Sequence, residues 1–296
     1  MLLTIENLTV RYGSETVLNI DQPIHIEEGE RIGIIGSNGA GKTTLVKSIL
    51  GLVPYQGTIQ TALTRDQIAV HMQFNEYADS MPVKYIMEAI LETKISKNKK
   101  LQDLIEYFEF GECLKKRYTK LSGGQKQRFT IILVMMQEAP LTFYDEVTSG
   151  LDFETRQKLM EKLTNWYRNK NSSLCIVSHY YDELENLVDK LLILDKGKVI
   201  AYGKTEELFR RYCGRAVIIL DNTPENETLV NDYKRLAAPA HLIALSCDNE
   251  SDERELTSRL LTHNKNYKRS SRDIEILSIN AKKMLSMKSE GISYDK

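Results

Sequence analysis

The sequence GSNGAGKTT at residues 36–44 has the spacing of a P-loop, in which two glycines separated by four residues precede lysine and threonine. The apolar run at 31–35 predicts a buried strand before it, and residues 42–50 predict a helix behind it. Strand, glycine-rich loop and helix follow one another in the order that a phosphate-binding loop requires. We therefore predict that the chain binds a nucleotide at 36–44.

The residues of this loop have different predicted tasks. The glycines let the backbone pass close to a polyphosphate, and the N–H groups at the start of the following helix face the anion. Lys42 is predicted to reach the β- and γ-phosphates, and the Thr43 hydroxyl is predicted to bind Mg²⁺. The predicted nucleotide-binding residues of the loop are Gly36, Ser37, Asn38, Gly39, Ala40, Gly41, Lys42, Thr43 and Thr44.

The composition is that of an ordinary globular protein. The chain has 296 residues, of which 42% are hydrophobic and 27% charged, enough for one large domain and a smaller one. Its net charge of -1 provides no positive field, so we expect no nucleic-acid partner. The four cysteines lie more than thirty residues apart, which argues against a clustered zinc site or a disulfide framework.

No stretch of the sequence has the pattern of a targeting or membrane-spanning segment. Residues 2–10 alternate apolar and polar side chains as a half-buried strand does, without a basic leader. No apolar run approaches the roughly 20 residues that a spanning helix needs. We therefore expect a soluble protein, for which any membrane role requires another subunit.

Two early strands are predicted, at 2–10 and 16–20, with a turn between them. Tyr12 stands at this turn, where its ring can either stack on an adenine or pack locally at the strand edge. The residues alone leave these two interpretations open.

A further strand is predicted up to Gln73, and two helices follow it. Gln73 can reach Mg²⁺ or water through its amide oxygen, or it can be a plain surface residue. Apolar residues at three- and four-residue spacings predict helices at 83–95 and 101–110. The polar residues 96–100 between them predict an exposed connector.

A second anion site is predicted away from the P-loop. Residues 118–128 read YTKLSGGQKQR, which predicts a loop and then a helix at 123–137. Ser122 and the backbone of Gly123 and Gly124 stand at the N-terminus of this helix, where N–H groups attract an anion.

Two carboxylates follow a buried strand that begins at Leu141. Asp145, at the end of the strand, is positioned to bind the Mg²⁺ of a P-loop, and Glu146 can act on the attacking water. Residues 149–152 then predict the cap of a helix that runs to about Lys170.

Another apolar strand, 174–178, delivers His179 at its end. A lone histidine in such a position is usually structural. One more helix at 181–186 and a hairpin of strands at 190–195 and 198–202 follow. The alternation of strands and helices predicts a mostly parallel sheet with helices on both sides.

These motifs together resemble those of the ATP-binding cassette (ABC) ATPases. In chain order they are Tyr12, the P-loop at 36–44, Gln73, LSGGQ at 121–125, FYDE at 143–146, SGLD at 149–152 and His179. LSGGQ is strongly specific to that family, and the resemblance covers residues 1–213. The implied fold is an α/β P-loop NTPase of the ABC type, with a mixed core sheet, an antiparallel β subdomain, a helical subdomain and a small C-terminal α+β extension at 214–296.

The resemblance implies how ATP is bound. Tyr12 would stack on adenine, while Lys42 and Thr43 would contact the phosphates and Mg²⁺. The LSGGQ signature would close over ATP held by the opposite subunit, through Ser122, Gly123, Gly124 and Gln125. ATP and Mg²⁺ are the implied cofactors, and a second ATPase subunit is an implied partner. Because one chain carries both half-sites, a homodimer is sufficient.

The resemblance also implies the catalytic residues. Glu146 would be the general base, and His179 would contact the γ-phosphate. Gln73 would sense the γ-phosphate and the membrane partner. Thr43, Gln73 and Asp145 would hold Mg²⁺.

The sequence departs from the family pattern in three places. Val147 replaces the usual proline after the catalytic glutamate, and Tyr144 is bulkier than the usual aliphatic residue. Residues 130–137 replace an alanine-rich run. None of these positions has a catalytic role, so we expect consequences for local packing rather than for activity.

The implied function is that of an ATP-hydrolysing subunit of a membrane transporter. A polytopic transmembrane permease would be its partner and would hold it at the cytoplasmic face of the membrane. We favour export, because SRDIEILSI at 271–279 loosely resembles the ending of ATPase subunits from bacterial drug and peptide exporters. The alternative is a soluble ABC ATPase with a non-transport role, such as an assembly factor. A binding module without hydrolysis conflicts with an intact Glu146.

The permease contact is predicted after Gln73. Exposed apolar side chains there, such as Tyr77, Met81 and Tyr85, would suit a groove that receives a short helix of the transmembrane subunit. These side chains can instead be the core of the insertion itself.

The segment 214–296 differs in pattern from the rest of the chain. Strands are predicted at 216–220 and 241–245, and a helix is predicted from about Glu253. Its positive and negative side chains balance, so it is not a basic arm.

Overall fold

The computed structural model describes residues 1–72, 77–168, 170 and 172–289. Gln73, predicted to bind Mg²⁺ and to sense the nucleotide, therefore lies outside the described residues. Among the helices that the structure describes, none is long and apolar enough to cross a membrane.

Strands and helices alternate along the chain. The strands are β1 (Leu3–Tyr12), β2 (Glu15–Ile20), β3 (Ile24–Ile26), β4 (Arg31–Gly36), β5 (Gln56–Thr61), β6 (Ile68–His71), β7 (Leu141–Asp145), β8 (Ser173–Val177), β9 (Lys190–Asp195), β10 (Lys198–Lys204), β11 (Ala216–Asp221), β12 (Arg235–Leu236), β13 (Leu242–Cys247) and β14 (Lys268–Ser270). The α-helices are α1 (Lys42–Ile49), α2 (Val83–Ile90), α3 (Lys99–Tyr107), α4 (Gly123–Met136), α5 (Phe153–Arg168), α6 (Tyr181–Leu184), α7 (Thr205–Cys213), α8 (Pro224–Leu229), α9 (Glu250–Thr262) and α10 (Ile274–Ser289).

Within the described residues, a six-stranded sheet forms the centre, in the order β10-β9-β4-β8-β7-β6. Strands β9, β4, β8, β7 and β6 are parallel, and β10 joins the edge as the antiparallel partner of β9. Every residue of β7 and β8 is buried, as expected for parallel strands covered on both faces. The mostly parallel sheet predicted from the alternation is confirmed.

This topology brings the distant motifs to one edge of the sheet. The P-loop follows β4, Glu146 follows β7, and His179 comes two residues after β8. The three strands are neighbours and parallel, so their carboxyl ends open onto the same crevice, which is where open α/β sheets bind ligands.

The N-terminal strands form the predicted antiparallel subdomain. In this sheet β1 pairs with β2 and β3 on one side and with β5 on the other. Alternate residues of β1, including Leu3 and Ile5, are buried in one hydrophobic cluster with Ile32 and Ile34 of β4. The antiparallel sheet therefore covers the strand that precedes the P-loop.

The helical part between β6 and β7 carries α4, the helix of the LSGGQ signature. The helices predicted at 83–95 and 101–110 are present, but their predicted ends are wrong. Helix α2 ends early because Glu92 takes a left-handed conformation with φ 49°, which breaks the helix. Helix α3 starts early because the Asn98 side chain accepts a hydrogen bond from the Leu101 amide at 3.0 Å.

Tyr77 belongs to the core of this helical part. Its ring packs edge-on against Tyr118 and Phe129, with centroid distances of 4.9 and 5.0 Å. Burial also raises the pKa of the Tyr77 hydroxyl. Met81 and Tyr85 are exposed instead. The docking interpretation is therefore wrong for Tyr77, and it stays a prediction for the other two side chains.

The three departures from the family pattern are accommodated inside the protein. Tyr144 is buried, and its hydroxyl lies 3.1 Å from the hydroxyl of Tyr167 on α5. Val147 and residues 130–135 are also buried. Their effect on packing rather than on the reactive groups agrees with the expectation from the sequence.

The segment after α7 forms a four-stranded antiparallel sheet in the order β12-β13-β11-β14. Its βαββαβ order is that of a ferredoxin-like unit. One face of the sheet packs on α9, through residues such as Ile218 and Leu256. The other face, which includes Val217 and Ile219, belongs to a hydrophobic cluster that also contains Leu277 of α10 and much of the preceding domain.

The elements predicted for this segment are present with shifted ends. Strands β11 and β13 correspond to the predictions at 216–220 and 241–245. Helix α9 begins three residues before Glu253, because Asn249 accepts a hydrogen bond from the Asp252 amide at 2.9 Å and caps it. The division of the chain after residue 213 stays a prediction, since the two parts share a hydrophobic cluster.

Candidate functional site

The P-loop forms a tight turn between β4 and α1. Gly41 has φ 96°, and a Cβ at this position would lie 2.9 Å from the Leu18 side chain, so only glycine fits there. The Lys42 ammonium donates hydrogen bonds to the carbonyl oxygens of Gly36 at 2.9 Å and Ser37 at 3.1 Å. The lysine is thereby held buried over the loop that precedes it.

The charge of Lys42 is poorly solvated. Burial lowers the pKa of the Lys42 ammonium, and the nearby carboxylates of Glu146 and Asp145 oppose that effect. A buried cation held by neutral carbonyls gains when an anion reaches it. The loop is therefore suited to receive phosphate oxygens.

Asp145 is a buried carboxylate at the end of β7. Neither of its oxygens accepts a well-formed hydrogen bond from the part of the chain that the structure describes. Burial raises the pKa of the Asp145 carboxyl, while the neighbouring Thr43 hydroxyl and Lys42 ammonium oppose the rise. A carboxylate left in this state is expensive unless a cation neutralises it.

The side chains of Asp145 and Thr43 fit the ligand preference of Mg²⁺. This ion takes oxygen ligands from one or two protein groups and completes its shell with water and substrate phosphates. An orphaned buried carboxylate beside a hydroxyl at the start of α1 provides such a donor set. Gln73, the third predicted ligand, lies outside the described residues.

Glu146 and His179 are in direct contact. The His179 Nε2 atom lies 2.7 Å from the Glu146 Oε1 atom. Glu146 has φ 51°, unusual for a residue other than glycine, and its amide donates to the Val177 carbonyl oxygen at 3.0 Å. The strained backbone and this hydrogen bond to β8 aim the carboxylate into the crevice, where the histidine meets it.

The P-loop, Glu146 and His179 line one cleft of about 540 Å³. Val17 of β2 and Ser149 complete the lining. Tyr12 stands at the tip of the β1–β2 hairpin with its ring half exposed, and stacking on adenine stays a prediction. The cleft thus brings P-loop residues 38–44 together with Glu146 and His179, and Val17 is the residue that the hairpin supplies. Gly36 and Ser37 do not line it, and Gln73 lies outside the described residues.

The signature residues lie elsewhere. Ser122 and Gln125 form a capping box at the start of α4. The Ser122 Oγ atom accepts a hydrogen bond from the Gln125 backbone N–H at 3.3 Å, and the Gln125 Oε1 atom accepts one from the Ser122 backbone N–H at 3.1 Å. Gly124 packs closely on the start of α5, where an added Cβ would lie 3.0 Å from the Thr155 methyl group. Of the described residues that line the P-loop cleft, none belongs to the stretch 122–125.

A buried carboxylate that the motifs did not indicate connects the two catalytic loops. Glu183 Oε2 accepts hydrogen bonds from the hydroxyls of Thr148, at 3.0 Å, and Ser178, at 2.8 Å. Its other oxygen lies 3.2 Å from the Arg156 Nε atom of α5. Thr148 is two residues after Glu146 and Ser178 directly precedes His179, so Glu183 holds both loops. The only signal in the sequence is a carboxylate four residues before Leu187, on an otherwise apolar helical face.

We expect Glu183→Ala to lower the free energy of unfolding by about 2–3 kcal/mol, because it removes the nearest carboxylate of the Arg156 guanidinium and the carboxylate acceptor of two hydroxyls. Asp182→Ala is the matched control, since that exposed carboxylate lies 4.0 Å from the same guanidinium. Chemical denaturation of both variants checks the difference. Glu183→Gln keeps an acceptor for the two hydroxyls and should retain more ATP hydrolysis than Glu183→Ala. Equal, small losses of stability in Glu183→Ala and Asp182→Ala would contradict the role of Glu183 in holding the two loops.

Comparison with known proteins agrees with this geometry. A family model described as ABC transporter matches residues 21–149. The manganese transport system ATP-binding protein MntB of Listeria monocytogenes is 31% identical over 223 residues, which cover 70% of this chain and 92% of that protein. This chain belongs to the ABC transporter family. It is an ATP-binding subunit of the family, whose members hydrolyse ATP, so the predicted family, fold and ATPase activity are confirmed.

Relatives in the ABC family transport in both directions. The methionine import ATP-binding protein MetN of Corynebacterium glutamicum is 31% identical over 240 residues, covering 71% of this chain and 66% of that protein. The Nod factor export ATP-binding protein I of Ralstonia nicotianae is 27% identical over 245 residues, covering 77% of this chain and 76% of that protein. A solved ATP-binding subunit of an ABC transporter is 25% identical with a TM-score of 0.64, and the match covers 72% of this chain and 93% of that one.

Proposed function

We propose that this chain is the ATP-hydrolysing subunit of an ABC exporter and that it drives transport through a separate transmembrane permease. The observation that carries the proposal is the cleft in which Lys42 and the Glu146–His179 pair meet at the P-loop, with the buried Asp145 carboxylate near Lys42. The permease would hold the subunit at the cytoplasmic face of the membrane.

In this proposal the phosphates of ATP bind along the P-loop. Lys42 exchanges the carbonyl oxygens of Gly36 and Ser37 for phosphate oxygens, which satisfies its buried charge better. Thr43 and Asp145, with Gln73, would hold Mg²⁺, which supplies charge neutralisation at the phosphates.

The attacking water would lose its proton to Glu146. The carboxylate is fixed by its strained backbone and by the contact with His179, so it is oriented before the substrate arrives. His179 would position this carboxylate and contact the γ-phosphate from the same ring. Tyr12 would stack on the adenine.

The ATP site would be completed by a second subunit. Ser122 and Gly123 are exposed at the N-terminus of α4 and are absent from the described lining of their own cleft. An exposed helix N-terminus of this kind attracts the phosphates of a nucleotide held by another chain. A homodimer is sufficient, because each chain carries both half-sites.

The extent of the matches favours export. The Nod factor export relative matches 77% of the 296 residues, about 228, which is more than the 213 residues before the C-terminal segment. That match must therefore enter the segment after residue 213. The methionine import relative matches 71%, about 210 residues, and does not require it. The longer match to the export relative, which includes at least about 15 residues after position 213, supports export.

The proposed permease contact is the exposed apolar surface of Met81, Tyr85 and Ile90, called here the α2 surface. Met81 lies two residues before α2 begins at Val83, Tyr85 lies in the first turn of the helix, and Ile90 is its last residue. Exposed apolar side chains at both ends of one helix could contact a short helix of a transmembrane subunit.

Tyr85→Asp should abolish membrane association and leave the ATPase rate and the melting temperature of the isolated protein unchanged, because the Tyr85 side chain is exposed. The measurement is the fraction of the full chain that sediments with membranes containing the permease. Leu261→Asp is the matched control, because Leu261 is also an exposed apolar residue, on α9. Tyr77→Asp should instead lower stability by about 2–4 kcal/mol, because it buries a charge among aromatic rings.

Two results would refute this surface. Tyr85→Asp that still sediments with membranes would move the contact away from α2. Loss of association in Leu261→Asp would place the docking surface in the C-terminal segment.

A further inference from the structure

The C-terminal helix α10 reaches the neighbourhood of the P-loop. It packs on the preceding domain through buried residues, among them Leu277 and Ala281. Lys282 follows Ala281 at the edge of this contact, and its ammonium lies 3.4 Å from the Asp195 Oδ1 atom. A residue of the C-terminal segment is therefore paired with the last residue of β9.

Asp195 is also bonded to the P-loop. The same Oδ1 atom accepts a hydrogen bond from the Ser37 hydroxyl at 3.1 Å. The contact follows from the sheet, because β9 pairs in parallel with β4 and Leu194 stands opposite Gly36. Ser37, Asp195 and Lys282 thus form a chain of contacts from the phosphate-binding loop to the C-terminal helix.

The turn after Asp195 is fixed to the P-loop by its backbone. The Gly197 amide donates to the Ala40 carbonyl oxygen at 3.2 Å, and the Asn19 amide donates to the Gly197 carbonyl oxygen at 2.7 Å. A Cβ at position 197 would lie 2.4 Å from the Val17 carbonyl oxygen. The carboxylate of Asp195 is therefore held beside the loop rather than free to swing away.

The charges in this chain of contacts have opposite effects on a bound polyphosphate. The carboxylate of Asp195 repels phosphates, and the ammonium of Lys282 offsets that repulsion. Lys282 is close enough to the loop to affect Lys42: burial is the main cause that lowers the pKa of Lys42, and the positive charge of Lys282 adds to it.

We propose that Lys282 is a positioning and charge-compensating residue of the nucleotide site, supplied by the C-terminal segment, and that ATP affinity therefore depends on α10 being docked. The inference rests on the proposed binding of ATP at the P-loop. It gives the segment after residue 213 a role in the ATPase cycle: displacement of α10 would uncover the charge of Asp195 and weaken ATP binding.

The first test measures the dissociation constant of ATP for the full chain in low salt. Lys282→Gln should raise it by about three- to tenfold, and the effect should shrink as ionic strength rises, because the pair is partly exposed. Lys283→Gln, an exposed lysine on the same helix, is the matched control and should bind ATP as the wild type does. Lys282→Arg keeps the charge and should restore affinity.

The second test removes the negative charge of Asp195 and asks whether ATP binds more tightly or more weakly. Asp195→Asn keeps an acceptor for Ser37 and removes the negative charge, so it should bind ATP at least as tightly as the wild type. The double variant Lys282→Gln, Asp195→Asn should return to near wild-type affinity. A role in packing alone predicts that both single variants weaken binding and that their losses add.

The inference is overturned if Lys282→Gln and Lys283→Gln bind ATP equally, or if Asp195→Asn weakens binding as much as Lys282→Gln does.

Lys42→Ala distinguishes failure of this inference from failure of the proposed ATP site. If Lys42→Ala loses ATP binding while Lys282→Gln does not, only the role of Lys282 is wrong. If Lys42→Ala binds ATP normally, the P-loop assignment itself is wrong.

Melting temperatures without nucleotide verify that each variant is folded.

Discussion

Glu146→Gln should bind ATP with near wild-type affinity and hydrolyse it about 10²–10⁴-fold more slowly, the usual contribution of a positioned general base. Glutamine preserves the size of the side chain and a hydrogen-bonding partner for His179, 2.7 Å away in the wild type, but it cannot accept the proton of the attacking water. Steady-state phosphate release and ATP binding measure the two quantities separately. The variant should also accumulate as an ATP-bound dimer in gel filtration, because the bound nucleotide is not consumed.

Glu154→Gln is the matched control for this experiment. Its carboxylate is exposed on α5, where it pairs with Lys158, and the change should leave the hydrolysis rate as it is. Wild-type turnover by Glu146→Gln would show that another group accepts the proton. A loss of ATP affinity equal to the loss of rate would mean that Glu146 acts in binding rather than in catalysis.

Ser122→Arg should abolish hydrolysis by every homodimer it forms, even though the variant's own P-loop is untouched. The physical reason is the separation within one chain: Ser122 caps α4 and is not part of the described lining of the P-loop cleft. Lys42→Ala should be inactive for the opposite reason, because it removes the ammonium aimed at the phosphates. The two inactive variants mixed in equal amounts should recover part of the activity. In each heterodimer, one composite site contains both substitutions and the other composite site contains neither.

Two affinity tags, one on each variant, make the complementation experiment decisive. Heterodimers purified through both tags should hydrolyse ATP, whereas either variant passed through the same procedure alone should not. Ser122→Ala serves as a milder control, because it removes the cap and costs about 1 kcal/mol of helix stability without adding bulk at the proposed interface. Doubly tagged heterodimers that stay silent would contradict a composite site whose two halves act independently.

The P-loop and the two carboxylates could be located from the sequence because their geometry is local. A glycine-rich turn between a strand and a helix depends on residues that are close in the chain, and a strand that ends in Asp145 and Glu146 presents both at the sheet edge. Parallel pairing then brings these strand ends together without further information. The family, the mixed sheet and the antiparallel subdomain were implied by the resemblance of the combined motifs to those of the ABC ATPases.

Helix ends were harder to predict because single side chains decide them. Helix α3 begins where Asn98 caps it, and α2 stops before Glu92, which adopts a positive φ. Spacing of apolar residues indicates which face of a helix is buried, but it is almost insensitive to a shift of two or three residues at either end.

Contacts between distant parts of the chain were decided by the tertiary structure alone. His179 meets Glu146 across 33 positions of sequence, and Glu183 joins the loops that carry them. Tyr77 is buried by rings that come from other elements, so its hydrophobicity alone could not distinguish a docking surface from a core. The periodic spacing of apolar residues does not predict such contacts, because they depend on the order of the strands in the sheet.

The link between Lys282 and the P-loop depends most on the fold. Local pattern was enough to predict a P-loop ATPase with a C-terminal extension of balanced charge. Only the packing of α10 on the preceding domain, and the pairing of β9 with β4, bring a lysine at position 282 to a carboxylate that also binds Ser37. A charge acts over distance in space and not along the chain, so its partner becomes evident only when the chain is folded.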